Sequence, residues 1–179
     1  MTAYLALIVT CDDKLGIGKN GTIPWLLKDD TEFFKYVTTG THSPSGGLNA
    51  VVMGRRTWES IPDKHKPLRH RINIILSKTM EEHDVGNLIV VRDIANAISK
   101  ANGRGVRTIY FAGGESVYNE TINMVDFIYS TRVEGDYGCD VFVPEVDLTV
   151  FERIMNVSDV SQDVQIKYSM ELFARIEGV

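Results

Sequence analysis

Runs of apolar, mostly β-branched residues alternate with polar segments over the first three quarters of the chain. Six of these runs predict strands, at residues 4–9, 49–53, 71–76, 87–91, 107–112 and 126–131. Four intervening segments predict helices, at residues 30–38, 55–60, 93–101 and 115–121. Strand alternating with helix is typical of a largely parallel central sheet with helices on both faces. In such sheets ligands bind beyond the carboxyl ends of the strands.

The pattern changes after Pro144, where two longer strand-like runs, residues 150–157 and 166–176, have no convincing helix between them. They predict an antiparallel strand addition at the edge of the sheet. A chain of 179 residues, 44% of them hydrophobic, is long enough for one core and short for two. The loosest stretch, residues 38–47 (TTGTHSPSGG), is interpreted as a surface loop. We therefore expect residues 1–179 to form a single α/β domain.

Charge and cysteine content narrow the class of function. The 24 acidic residues against 19 basic ones give a net charge of -5 at pH 7, and there is no long basic run, which argues against a nucleic-acid partner. Cys11 and Cys139 are too few for a disulfide framework, and no signal-peptide pattern opens the chain, so we expect a cytoplasmic location. The longest apolar stretch is far shorter than a membrane span. Because HExxH, CxxC and calcium-loop spacings are missing, and His42, His70 and His83 lie in polar loops, we expect no metal.

Residues 16–21 (GIGKNG) have the spacing G-x-G-x-x-G of a dinucleotide-binding loop. That loop needs a helix to begin at its third glycine, because the amino terminus of the helix holds the pyrophosphate. Here Pro24 follows and keeps Ile23 extended, so no helix can begin at that point. We interpret the segment instead as a flexible flap over a site.

Two adjacent carboxylates, Asp29 and Asp30, start the first predicted helix and admit two interpretations. Both can be helix caps, which is common. Alternatively, Asp30 lies among Trp25, Leu27 and Phe34, where burial raises its pKa and it binds the N–H groups of a ligand or handles a proton. The pattern alone does not decide between them.

Eight blocks resemble, in order, those of the dihydrofolate reductase family: GIGKNGTIPW, DDTEFFK, VVMGRRTWESIP, KPLRHRINIILS, FAGGESVY, STRV, CDVFVPEVDL and SDVSQDVQIKY. Together they cover nearly the whole chain. The long insertion and the C-terminal blocks are similar to animal enzymes, whereas the spacing from Trp25 to Asp30, with Asp in place of the animal Glu, looks bacterial. The resemblance implies a monomeric enzyme of one-carbon metabolism that binds antifolates. It would use NADPH to reduce 7,8-dihydrofolate to tetrahydrofolate, with hydride transfer to C6 and protonation of N5.

The resemblance also implies roles for residues of the folate site. Asp30 would accept bonds from the pterin 2-amino group and N3–H, Thr131 would be the hydroxyl partner of that carboxylate, and Trp25 would help hold a water. Arg71 would clamp the α-carboxylate of the glutamate with its planar guanidinium. The walls of the site are implied to be Phe34, Ile61, Pro62 and Leu68. The resemblance further implies substrate-binding positions on the strand below, against the pterin ring and beside the glutamate tail, namely Ile8 and Val9, Thr31, and His65.

For the cofactor, the resemblance implies that Arg55 and Arg56 lie at the extra phosphate on the adenosine ribose of NADPH. Gly113 and Gly114, which the family joins by a cis peptide, would let backbone N–H groups approach the pyrophosphate. The remaining cofactor residues are implied to be Ser77 and Lys78 beside the same ribose phosphate, and Thr10, Ile17, Gly18, Gly54, Thr57, Leu76, Ala112, Glu115, Ser116, Val117 and Tyr118.

Three residues depart from the family pattern: Thr10 replaces the usual alanine, Thr31 replaces a larger apolar residue, and Glu115 adds an acid beside the pyrophosphate turn. We expect looser contact with the pterin at Thr31 and weaker pyrophosphate binding at Glu115. Without the resemblance, simpler interpretations stand for the other residues, namely core packing, a solvated arginine pair, or an ordinary surface arginine at Arg71.

Two other functions remain as alternatives. The first is a reductase of the same fold that acts on an aminopyrimidine sugar phosphate, which has no glutamate tail for Arg71 to hold. The second is a folate- or nucleotide-binding module without turnover. Asp30 together with Phe34 and Arg71 argues against the first, and Asp30 with Thr131 and two phosphate sites argues against the second.

Overall fold

The computed structural model describes residues 2–40 and 47–178 of the chain. Its strands are β1 Tyr4–Asp12, β2 Gly16–Gly18, β3 Ala50–Gly54, β4 Ile72–Leu76, β5 His83–Val85, β6 Leu88–Val91, β7 Thr108–Phe111, β8 Phe127–Val133, β9 Val141–Phe142, β10 Phe151–Val160 and β11 Lys167–Arg175. Its helices are α1 Lys28–Thr39, α2 Arg55–Ser60, α3 Ile94–Gly103 and α4 Glu115–Thr121, with one 3-10 turn at Asp63–His65.

Within the described ranges, nine strands form one sheet in the order β10-β11-β8-β1-β7-β3-β4-β6-β5. The six strands from β8 to β6 run parallel to one another. β11 and β10 add an antiparallel hairpin to one edge, and β5 pairs antiparallel at the other. The predicted fold class, a largely parallel sheet with an antiparallel C-terminal addition, is confirmed. The central strands β3 and β4 are almost entirely apolar because helices or loops cover both of their faces.

Helices cover both faces of the sheet, as predicted. On one face, Phe34 of α1 and Trp58 of α2 pack against the cluster that contains Ile8. On the other face, Ala97 of α3 and Val117 of α4 belong to the cluster that contains Leu7. Side chains alternate across a strand, so these two neighbours on β1 serve different cores.

The start of α1 differs from the prediction. The helix begins at Lys28, and its N-cap is Leu27, which is extended and makes no side-chain capping bond. Asp29 and Asp30 both lie in the first helical turn. The interpretation of these two carboxylates as caps is therefore wrong.

The predicted surface loop at residues 38–47 is also partly wrong. Thr38 and Thr39 are buried in the last turn of α1, where the Thr38 hydroxyl donates to the carbonyl of Phe34 at 2.6 Å. Residues 41–46, including His42, lie outside the described residues. His83, expected in a loop, starts the short exposed strand β5, whose residues show no apolar alternation that could have predicted it.

A core substitution tests this architecture. Ile74 lies in β4 between two neighbouring strands and is 0% exposed. Replacing Ile74 with Ala leaves a cavity, and we expect the free energy of unfolding to fall by about 2–5 kcal/mol in chemical denaturation. The matched control is Ile154→Ala in β10, where the side chain is 54% exposed. Equal losses in the two variants would contradict the assignment of β4 to the centre of the sheet.

Candidate active site

The carboxyl ends of the parallel strands meet at one edge of the sheet. The pairing of β1 with β7 ends at Leu7 and Phe111, whereas its pairing with β8 continues to Asp12 and Val133. The last residues of β1, including Thr10, therefore have β8 on one side and no paired strand on the other. This is the place where an open α/β sheet can accept a ligand.

Asp30 lies over this edge, in the first turn of α1. Its Oδ2 accepts a hydrogen bond from Oγ1 of Thr10 at 2.7 Å. The hydroxyl of Thr131 also acts to lower the pKa of this carboxyl. Burial raises the pKa of Asp30 above its usual range, and the two hydroxyl donors oppose that shift. The residue keeps intermediate exposure. The carboxylate is thus surrounded by protein but still reachable by a ligand.

Three of the predicted wall residues and one residue of the strand below them come together beside Asp30. Ile8 is buried in a cluster against which Phe34, Ile61 and Leu68 pack, so strand, helix and loop contribute to one apolar surface. Three other residues predicted to bind the substrate are exposed: Thr31, Pro62 and His65.

The side chain of Val9 does not face this surface. It is buried in the cluster on the opposite face of the sheet, because alternate residues of β1 point to opposite sides. There it lines a separate cavity of about 820 Å³ together with Leu7, Cys11 and Arg132. Only the main chain of Val9 therefore remains available below the site, and its role in substrate binding stays a prediction.

Arg71 is not the surface arginine that its position before a strand allowed. It is 5% exposed, its Nη1 donates to Oγ1 of Thr38 at 2.7 Å, and its Nε donates to the carbonyl of Arg69 at 3.0 Å. Its guanidinium lies 5.7 Å from the ring centre of Phe34. Burial lowers the pKa of Arg71, and no carboxylate among the described residues forms an ion pair with it. A buried cation without an anionic partner is suited to bind an anion.

The two-glycine turn after β7 lies against the end of β3. The backbone N–H of Gly54 donates to the carbonyl of Gly113 at 2.7 Å, and the Gly113–Gly114 peptide is cis, as expected. Gly113 has a φ of 103°, and a Cβ there would lie 3.0 Å from the hydroxyl oxygen of Tyr118. Only glycine suits this position, and the turn brings the amino termini of α2 and α4 together.

The remaining predicted cofactor residues divide by burial. Val117 and Tyr118 are buried, and the Tyr118 hydroxyl donates to the carbonyl of Ile8 at 2.9 Å, so this side chain supports β1 from below. Ser77 is buried, and its hydroxyl oxygen accepts from the backbone N–H groups of the turn that follows it. Ala112 and Gly114, with Thr57 and Leu76, are half-buried. The exposed residues are Arg55, Arg56, Lys78, Glu115 and Ser116.

The glycine-rich segment is a strand followed by a turn and does not start a helix. β2 pairs with β9, and Lys19 and Thr22 exchange backbone hydrogen bonds around the turn between them. Ile17 and Gly18, in β2, are half-buried. The rejection of a dinucleotide-binding loop is therefore confirmed in its geometry.

Asp12 anchors this flap. Its carboxylate accepts backbone N–H bonds from Lys14 at 2.9 Å, Gly16 at 2.8 Å and Tyr137 at 3.1 Å. Burial acts to raise the pKa of Asp12, but these three donors and the thiol of Cys139 outweigh it and lower the pKa. The acidic run at residues 134–140 takes part as well, since Asp136 forms an ion pair with Lys14 at 2.7 Å. Residues 134–140 therefore help to hold the flap in place, a role that their sequence does not predict.

Trp25 packs on the same loop. Its ring meets that of Tyr137 edge to face, with centroids 5.2 Å apart and planes at 73°. Leu27, Val133 and Tyr168 complete this cluster. Trp25 thereby fixes the chain before α1, and its role in holding a water stays a prediction.

The sequence of this chain is similar to those of known proteins over nearly its whole length. Residues 4–175 match the family model described as dihydrofolate reductase. The chain belongs to the dihydrofolate reductase family. It is 36% identical over 182 residues to the dihydrofolate reductase of Sus scrofa, covering 96% of this chain and 97% of that protein. It is 34% identical over 186 residues to the enzyme of Rattus norvegicus, covering 98% and 99%.

A solved relative has the same fold. The dihydrofolate reductase from Enterococcus faecalis complexed with NADP(H) and RAB-propyl is 27% identical, with a TM-score of 0.81 over 99% of both chains. Among residues 2–40 and 47–178, no helix has the length and hydropathy needed to cross a membrane. The same residues contain no group of His, Cys, Asp and Glu side chains placed to hold a metal ion.

The carboxylate of Asp12 gives a stability prediction. Because its pKa is lowered in the folded protein, its contribution is present above the unfolded pKa of about 4 and is lost as the pH falls through the folded value. We expect Asp12→Asn to reduce the free energy of unfolding at pH 7 by about 1–3 kcal/mol. Denaturation between pH 7 and pH 3 should show that difference shrinking. Glu81→Gln, at an exposed carboxylate, is the control, and a difference independent of pH would refute the role of the Asp12 charge.

Proposed function

We propose that this protein reduces 7,8-dihydrofolate to tetrahydrofolate with NADPH, passing a hydride to C6 of the pterin while N5 gains a proton. The observation that carries the proposal is the partly enclosed Asp30 carboxylate at the ligand-binding edge of the sheet. Membership of the family supports the same reaction.

The two charged groups of the site are placed for an elongated substrate. Asp30 is in the first turn of α1, and Arg71 bonds to Thr38 in its last turn. Eight residues of α-helix separate Asp30 from Thr38, a rise of about 12 Å. The apolar surface around Phe34 lies between them. Dihydrofolate has three parts in the same order. Its flat ring carries N–H donors for Asp30, its aromatic middle fits the apolar surface, and its terminal carboxylate fits Arg71.

The carboxylate orients the ring and does not need to touch N5. Two charge-assisted bonds to the 2-amino group and N3–H fix a planar heterocycle in one orientation. The negative charge then stabilises positive charge that develops on the pterin when N5 is protonated. The proton itself comes from solvent through water.

The residues present also fit NADPH, which supplies the hydride when it is bound. Arg55 and Arg56 begin α2 beside the Gly54–Gly113 contact, and the turn leaves backbone close to any phosphate at these helix ends. Lys78 adds a third exposed cation after β4. We propose that these cations bind the ribose phosphate that distinguishes NADPH from NADH.

We also propose a cytoplasmic, monomeric enzyme that binds antifolates. Both cysteines are free thiols, which agrees with a reducing compartment. Any planar inhibitor that presents paired N–H donors would meet the same acceptor at Asp30 as the pterin does.

One assay separates this function from its alternatives. NADPH oxidation, followed by absorbance, should depend on added dihydrofolate. Binding of both ligands without loss of absorbance would favour a binding module, and no response to dihydrofolate would favour a reductase of another heterocycle.

Asp30→Asn tests the carboxylate directly. An amide has only one acceptor oxygen, so we expect turnover near pH 7 to fall by about two orders of magnitude or more. The fold should persist, because burial raises the pKa of Asp30 and its charge is therefore a cost to folding at neutral pH. Steady-state kinetics and thermal unfolding check both statements, and a near-normal rate would contradict the assigned role.

Arg71→Lys tests the far end of the site. A lysine keeps the charge but loses the planar fork, so we expect KM for dihydrofolate to rise about tenfold with little change in kcat. A dihydropterin without the glutamate tail is the control substrate, and its KM should not respond. An equal rise for both substrates would show that Arg71 only supports the fold.

Arg55→Ala combined with Arg56→Ala tests cofactor choice. We expect kcat/KM for NADPH to fall about tenfold or more while that for NADH stays nearly constant. Arg104→Ala, at an exposed arginine paired with Asp84, is the control. Unchanged selectivity in the double variant would refute the charge argument.

A further inference from the structure

Thr10 stands out because the mechanism described above does not require it. The hydroxyl of Thr10 and that of Thr131 come from paired positions on the adjacent strands β1 and β8, so both side chains lie on the same face of the sheet. Oγ1 of Thr10 donates to Oδ2 of Asp30 at 2.7 Å, and the Thr131 hydroxyl also acts to lower the pKa of that carboxyl. Two strands therefore hold the carboxylate from below.

The number of acceptor positions limits what else can bind. An ionised carboxylate has two oxygens with about four lone-pair positions in total. Thr10 occupies one of these and the nearby Thr131 hydroxyl competes for a second, so at least two remain for a ligand. The 2-amino group and N3–H of a pterin supply two donors. Bound substrate would therefore fill the acceptor positions of the carboxylate that remain.

We propose that Thr10 is a positioning residue, whose hydroxyl fixes the orientation of the Asp30 carboxylate, keeps it ionised, and leaves two acceptor positions for the substrate. This inference rests on the proposed dihydrofolate reduction and deepens it. A carboxylate with every acceptor position filled cannot take up a proton without losing a hydrogen bond. Asp30 therefore stays charged in the substrate complex and acts by charge and orientation.

Three other ionisable side chains belong to elements around Asp30. Asp29 is its neighbour on α1, Tyr118 faces it from α4, and Tyr168 faces it from β11. Burial raises the pKa of Tyr118, and burial with nearby carboxylates raises that of Tyr168, so both phenols remain neutral. The two threonine hydroxyls are the polar groups that oppose the rise in the pKa of Asp30 caused by burial.

The test compares Thr10→Val, which keeps the shape and removes the hydroxyl, with Thr10→Ser, which keeps the hydroxyl. Thr10→Ala repeats the loss with a smaller side chain in case the valine variant folds poorly. The first measurement is a carbon-13 NMR titration of the Asp30 carboxyl in the ligand-free protein, with Asp30→Asn to assign the signal. We expect the midpoint to rise by about one pH unit in the valine and alanine variants, and to stay in place in the serine variant.

The second measurement is the pH profile of kcat/KM for dihydrofolate in the same variants. The valine and alanine profiles should move to higher pH by the same amount as the titration, whereas a purely structural role would lower the rate equally at every pH. An unmoved titration midpoint in both variants overturns the inference even if the wild-type protein is an active reductase. If the titration midpoint of Asp30 moves but the wild-type protein does not turn over dihydrofolate, the proposed function is refuted. The contact between Thr10 and Asp30 is then still supported.

Discussion

Enclosing the Asp30 carboxylate removes water that would otherwise solvate its charge, and the hydroxyl groups of Thr10 and Thr131 replace part of that solvation. The balance is the constraint on which the site depends. With fewer donors the pKa of the carboxyl would rise further, and with full exposure water would compete with a flat ring for its oxygens. Partial burial with two fixed donors satisfies both conditions.

The sheet provides the accuracy that this arrangement needs. Thr10 and Thr131 are directly paired on parallel strands, and the hydrogen-bonded register cannot shift without moving the whole apolar face of β1. α1 then sets the second distance, because Asp30 in its first turn and Thr38 in its last fix where the carboxylate and Arg71 lie along the ligand. Arg71 is buried without a carboxylate partner among the described residues. A buried cation of this kind is suited to bind an anion.

Much of the fold was predictable, because buried parallel strands and helices with one apolar face leave periodic patterns in the sequence. The family blocks predicted that Asp30 and Thr131 meet. The contact from Thr10 was not predicted, since the residue had been assigned to the cofactor and nothing local to β1 indicates a partner twenty positions later. The resemblance places Val9 below the site without saying which face of the strand its side chain occupies, and that side chain lies in the opposite core. The role of Asp12 depends on backbone N–H groups, which carry no sequence signal.

Alternate residues of β1 link the apolar wall, the Asp30 carboxylate and the flap. Ile8 contributes to the apolar wall, Thr10 holds the Asp30 carboxylate, and Asp12 anchors the flap. They are every second residue of one strand, whereas the intervening Leu7, Val9 and Cys11 are buried in the opposite core. That core fixes the strand in register, because a slip by one residue would expose its apolar side chains and bury the polar ones. The apolar wall, the carboxylate and the flap anchor therefore cannot shift independently of one another. The packing of the core on one face of the sheet determines the geometry of the site on the other face.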